Sequence, residues 1–236
     1  MRVHVIDTSV RLHDHDLSLH LSAGEGPRSP LLIYGTGDAG WWGHDTDLFL
    51  QLAAWGFPAA GFSAREYVGH LEGGADVESP DVLAADLEAM AAAALRELAL
   101  PPQTPIILVG KSRGAGLAVA AGTVPRLRPR LKGILAIGLT QEEEYIDVPV
   151  SPLLADSPQV MLHTYSALEQ MLDMPVAVIQ STHDEYIRAA DARDLFGPDS
   201  PERRLRPIAS QDHNFTGAVG EMYTEMRRSM EWLLQR

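Results

Sequence analysis

The chain has 236 residues, 45% of them hydrophobic and 22% charged, with no cysteine and a formal net charge of −13. That length and balance fit one globular domain and argue against disordered, fibrous or coiled-coil classes. The acidic excess speaks against a nucleic-acid partner, because phosphate contacts need a basic face, and the missing thiol excludes disulfides, thiolate metal centres and a cysteine nucleophile.

The stretch up to Asp16 has no long apolar run and no small-residue cleavage pattern, so neither a signal peptide nor a membrane span is expected. The expected location is cytoplasmic, or periplasmic if a leader is removed. Residues 3–5 and Leu17, Leu19 and Leu21 alternate apolar with polar, predicting two N-terminal strands with a turn near His13–Asp16. Pro27 and Pro30 punctuate the loop before 31–34, a buried strand that stops in Gly35-Thr36-Gly37-Asp38-Ala39-Gly40. Helical spacing over 48–55 ends at Gly56, and 57–62 reads as another strand. A long helix starts at Pro80, with Asp81, Asp86 and Glu88 toward its start and Arg96 toward its end, and Pro101 and Pro102 stop it.

Residues 106–109 form the clearest buried strand, and 114–121 a small-residue helix directly after it. The next strand is 131–139. Residues 140–173, which hold Glu142-Glu143-Glu144, are irregular and read as an insertion or lid over the sheet's C-terminal edge. A strand at 175–180, a helix at 189–195 and a strand at 205–208 follow. The last helix carries Val219, Met222, Met226, Met230 and Leu233, a core-facing stripe at helical spacing. Apolar strands alternating with helices from residue 31 onward imply an α/β fold. Its sheet is mainly parallel and covered by helices on both faces, with the N-terminal pair as an antiparallel edge. A single domain spans 1–236.

The chemistry gathers at Gly110-Lys111-Ser112-Arg113-Gly114, a G-x-S-x-G between a strand and a helix. Small residues on both sides of the serine allow a sharp bend that lifts its hydroxyl over the sheet. A serine is a weak nucleophile without a base. His213, after the last strand, is the candidate, and His183 is its weaker rival. The carboxylate that orients the base is Asp184, after strand 175–180, with Glu185 next and Asp212 adjoining. The order Ser112, Asp184, His213 is that of an α/β-hydrolase, and each member follows a strand, so all three fall on one sheet edge. The expected oxyanion donors are the backbone N–H of Arg113 and that of Asp38, with Gly37 as the alternative. An acidic side chain at 38 calls for a cation nearby: Lys111, Arg113 or a substrate ammonium.

Thr36-Gly37-Asp38-Ala39-Gly40-Trp41, the Ser112 elbow and His213-Asn214-Phe215-Thr216-Gly217 together resemble the VirJ/AcvB-type branch of bacterial virulence proteins in the α/β-hydrolase superfamily. The resemblance covers roughly residues 30–236, its motifs recurring in the expected order. It implies an α/β-hydrolase fold and a serine hydrolase with Ser112 as nucleophile, His213 as base and the Gly37–Trp41 loop as site lining. Some members hydrolyse the aminoacyl ester of lysyl-phosphatidylglycerol, and Asp38 suits a lysyl amine. The chain departs from the pattern at Ala39, at the Lys111–Arg113 pair around the serine, and at Gly116, where such members tend to carry an acidic residue.

The expected function is therefore hydrolysis of a carboxylic ester, small or lipid-borne, with Gly37, Trp41 and Lys111 binding substrate. No metal or other cofactor is expected. Transient membrane contact and any oligomeric state stay open. The rival readings are an esterase or thioesterase of small soluble substrates and a catalytically silent binding module. His13-Asp14-His15-Asp16 reads as a solvated turn ahead of a metal site, Glu142–Glu144 as a solvated face ahead of a lid carboxylate that attracts cations, and Trp41 and Trp42 either line an acyl pocket or pack beneath their loop.

Overall fold

The computed structural model describes residues 3–26, 29–70, 80–144 and 161–236. Pro27 and residues 145–160 of the expected insertion lie outside them. The first strand, β1 (Ile6–Leu12), begins three residues later than the alternation at its start suggested, and pairs antiparallel with β2 (His15–Ser22). Leu17, Leu19 and Leu21 face the core, and His13 turns the hairpin with φ 51°. The His13 ring bonds the buried carboxylate of Asp86 (3.0 Å), which also accepts from the Tyr67 hydroxyl (2.9 Å), so the turn clasps the body.

The remaining elements follow in order: β3 (Leu31–Gly35), α1 (His44–Ala54), β4 (Ala59–Phe62), α2 (Ala64–His70), α3 (Pro80–Glu97), β5 (Ile106–Lys111), α4 (Arg113–Gly122), β6 (Leu131–Ile137), β7 (Glu142–Glu144), β8 (Met161–His163), α5 (Thr164–Leu168), β9 (Val176–Ser181), α6 (Ala189–Phe196), β10 (Arg203–Ile208) and α7 (Val219–Leu234). The sheet runs β1-β2-β4-β3-β5-β6-β9-β10, parallel from β4 to β10, with β2 joining antiparallel to β4. β7 and β8 form a separate antiparallel pair.

Successive side chains of each central strand enter opposite layers, as strand geometry requires. Leu31, Ile33, Ile106, Leu108, Ile134 and Val178 pack under α3 and α4. Leu32, Tyr34, Ile107, Val109, Leu135 and Ile179 pack under α1 and α7, where the Met222, Met226 and Met230 stripe is buried. Each such side chain contributes about 1.5–3 kcal/mol by leaving water.

Two local expectations shift. Helix α3 ends at Glu97, before either proline: Ala99 turns left-handed (φ 51°) and the Leu100 N–H reaches back to the Leu95 carbonyl (2.9 Å), a chain-reversing cap. Helix α2 was not expected; its signal is Ser63-x-x-Glu66, and Ser63 Oγ accepts the Glu66 N–H at 3.1 Å. At the β10 edge the outward donors are taken. The Arg203 N–H meets the Ser200 carbonyl, the Leu205 N–H meets Asp199 Oδ1 at 3.1 Å, and Pro207 has no N–H.

Candidate active site

Parallel strands share a C-terminal edge, and the loops leaving β3, β5, β6, β9 and β10 meet there. At the end of β5, Ser112 has φ 49° and ψ −118° and caps α4 without spending its side chain on the helix. A left-handed non-glycine residue costs about 1–3 kcal/mol and persists only where its surroundings hold it. Two glycines do so. A Cβ on Gly110 would lie 2.1 Å from the Gly114 carbonyl oxygen, and one on Gly114 would lie 2.2 Å from that of Gly35. The Gly114 N–H bonds the Thr36 carbonyl (3.0 Å), tying the bend to the loop after β3.

His213 is buried after β10. Its Nδ1 lies 2.6 Å from Asp184 Oδ2, and Asp184 is itself held by Gln180 Nε2 (2.9 Å) and the Tyr186 N–H (2.9 Å). The other sequence candidates have different work. Glu185 Oε2 accepts the His213 backbone N–H (2.9 Å), Asp212 Oδ1 accepts the Asn214 and Thr216 N–H groups (both 3.0 Å), and His183 Nδ1 contacts the Ser210 carbonyl (2.9 Å). Among the described residues nothing hydrogen-bonds His213 Nε2, the Ser112 hydroxyl included. The ring and the serine still meet at one rim. The Ser112 N–H donates to the Ile137 carbonyl (2.9 Å), and the next residue, Gly138, is left-handed with the imidazole Cε1 2.8 Å from where its Cβ would stand. Resting-state bonds between nucleophile and base are often long and tighten only around substrate.

Gly37 lies against Ser112, whose Cβ is 3.4 Å from a Gly37 Cβ position. Its N–H is committed to Asp45 Oδ1 (2.7 Å), whereas no hydrogen bond among the described residues engages the Asp38 N–H. The Asp38 carboxylate pairs with Arg113 Nε. Arg113 also faces Glu143 Oε1 at 3.9 Å. Glu143 is not on a solvated face: it is buried, accepts from Thr140 Oγ1 (2.6 Å), and packs where a side chain on Gly116 would otherwise sit. Burial pushes its carboxyl up, and the Asp38 charge adds to the rise. Tyr186 stands edge-on to the imidazole at 4.9 Å, its hydroxyl raised by desolvation and then by Asp38, Glu185, Glu143 and Asp184.

Two expected substrate contacts are corrected. The Lys111 ammonium is buried, bound to Asp45 Oδ2 (3.2 Å) and Asn214 Oδ1 (2.9 Å), because at the last position of β5 it points into the layer beneath the loops. Trp41 stacks on His20 (3.9 Å), meets Phe49 edge-on (5.0 Å) and covers Gly61, so it packs beneath its loop, while Trp42 is 78% exposed. Trp41→Ala is expected to lower unfolding free energy by about 2 kcal/mol in urea titrations, with any KM change small beside that loss.

Asp45, Gln180 and Tyr186 were not expected at the site, and Glu143 only through the lesser reading of its acidic run. Gln180 had a readable signal, a polar residue ending an apolar strand; Asp45 and Tyr186 had none.

No protein-family model matches the chain, and no curated protein matches it. Solved structures do. Est1E from Butyrivibrio proteoclasticus is 13% identical with a TM-score of 0.67, over 98% of this chain and 99% of that one. An esterase from Pyrococcus furiosus is 14% identical with a TM-score of 0.67, over 99% and 93%. A dienelactone hydrolase from Anabaena variabilis is 18% identical with a TM-score of 0.66, over 100% and 99%. These likenesses show the α/β-hydrolase fold.

Proposed function

We propose that this protein is a serine hydrolase that cleaves a carboxylic ester through an acyl-enzyme, with Ser112, Asp184 and His213 as its triad. One observation carries the reading. A serine held at φ 49° on a strand-to-helix bend shares a rim with an imidazole whose Nδ1 sits 2.6 Å from a buried carboxylate and whose Nε2 has no other partner among the described residues. His213 Nε2 takes the Ser112 proton as Oγ attacks the carbonyl carbon, and Asp184 holds the tautomer and steadies the imidazolium. The Asp38 and Arg113 amides hold the oxyanion. The ester C–O bond breaks, and the alcohol leaves with the proton from His213. Water, deprotonated by the same ring, then releases the acid.

For substrate we assign an ester with positive charge on its acyl side, such as the aminoacyl ester of lysyl-phosphatidylglycerol. The half-exposed Asp38 carboxylate and the exposed Glu185 make the mouth acidic, and the VirJ-like motifs point the same way. A second reading, small neutral esters, draws on the printed names of the structural neighbours and on Arg113, which offsets much of the negative charge.

A panel of lysyl, alanyl and butyryl esters tests both. The lysyl ester is expected to lead in kcat/KM by about tenfold or more at low salt, a lead that shrinks as salt is added. Equal rates favour the neutral reading. No turnover together with no fluorophosphonate labelling of Ser112 leaves a binding module.

A further inference from the structure

We infer that Lys111 is a positioning residue, which through Asp45 and Asn214 fixes the spacing of the Asp38 amide, the Ser112 hydroxyl and the His213 ring. The inference rests on the hydrolase reading above. A buried ammonium is costly unless matched by good partners, and this one has two. Asp45 Oδ2 is 3.2 Å away and Asn214 Oδ1 2.9 Å away; the amide is oriented by a partner that only donates. Asp45 is buried too, and its second oxygen holds the Gly37 N–H at 2.7 Å.

The chain of bonds Gly37–Asp45–Lys111–Asn214 joins three loops far apart in sequence. Three of its four members lie next to a group of the reaction. Gly37 precedes the Asp38 amide, Lys111 precedes Ser112, and Asn214 follows His213. By consuming the Gly37 N–H, Asp45 leaves the following amide to face the carbonyl. By gripping Asn214, Lys111 draws the His213 loop toward the elbow. A second network on the elbow joins Arg113 to Asp38 and Glu143.

Asn214 is exposed apart from this bond, so its variants fold. Asn214→Ala is expected to lower kcat by about tenfold to a hundredfold with KM within about twofold, the pattern of misplaced groups and not of lost binding. Asn214→Asp, which keeps an acceptor for the ammonium, restores most of the rate. The double variant Lys111→Met with Asp45→Asn, which leaves no buried charge alone, stays folded by circular dichroism and loses at least as much kcat. The second readout is the imidazole Nδ1–H resonance of His213 on resting protein with labelled histidine: sharp in wild type and Asn214→Asp, broadened in Asn214→Ala and in the double variant. Wild-type kcat with an unchanged resonance in Asn214→Ala, or no recovery in Asn214→Asp, overturns the inference. Ester turnover surviving in Ser112→Ala overturns the hydrolase reading instead, a result the substrate-free resonance does not depend on.

Discussion

Ser112→Ala is expected to reduce turnover of an activated ester by about four to six orders of magnitude while the protein stays folded. The substitution removes one oxygen and keeps the Cβ, so the bend at φ 49° and the glycine contacts around it are unchanged. What disappears is the atom that forms the acyl bond. The proposed oxyanion donors, the Arg113 and Asp38 amides, would still polarise a bound carbonyl, and that remnant of transition-state binding sets the floor of the remaining rate. Initial rates on a p-nitrophenyl ester, with fluorophosphonate labelling and peptide mapping in parallel, measure it. Unchanged turnover in the variant, or a label on another residue, refutes the assignment of Ser112.

Asp184→Asn is expected to cost about four orders of magnitude in kcat, with the fold retained. The amide is nearly the same size as the carboxylate, and the Tyr186 N–H can still donate to its oxygen. The difference falls on Oδ2, which lies 2.6 Å from His213 Nδ1 and 2.9 Å from Gln180 Nε2. Gln180 offers only hydrogens there and the Tyr186 N–H only a hydrogen at Oδ1, so the Asn side chain meets a donor with its own NH2 whichever way it turns. With its NH2 group toward the ring it stabilises the tautomer that bears its proton on Nε2, where a base is needed. Glu185→Gln, by contrast, keeps an acceptor for the His213 backbone N–H and is expected to cost no more than about tenfold. A wild-type rate in Asp184→Asn moves the orienting role to Glu185 or Asp212.

The sheet was legible because its strands are uninterrupted apolar runs, such as 31–34 and 106–109, whose burial on both faces leaves little choice of structure. The alignment of Ser112, Asp184 and His213 on one rim was legible for the same reason: each follows a parallel strand, so chain order dictates the edge. Side-chain direction at the rim was harder. Lys111 and Arg113 are two basic residues flanking one serine, yet the first turns inward to Asp45 and the second lies against Asp38. Period-two alternation would put both on one face; the bend after Lys111 separates them, and it shows only if the strand's last residue is known. Glu143 reads first as part of a solvated acidic run, and its inward turn depends on Thr140, three residues back, and on Arg113 and the small Gly116, which are distant pairings with no local signature. Helix α2 was missed although Ser63 and Glu66 carry its start, since the short segment has little apolar periodicity to draw attention.

The β10 end of the sheet offers little to a newcomer. Along β10, Ser200 and Asp199 already occupy the hydrogens that a further strand would need, and Pro207 supplies none. Arg193 also spends a guanidinium on the Leu205 carbonyl. Self-templated growth from that side, whether into a shared sheet between copies or into a fibril, would first have to strip these bonds away. The last strand is thus a closed margin, and any assembly that buries it has to use side chains instead of backbone.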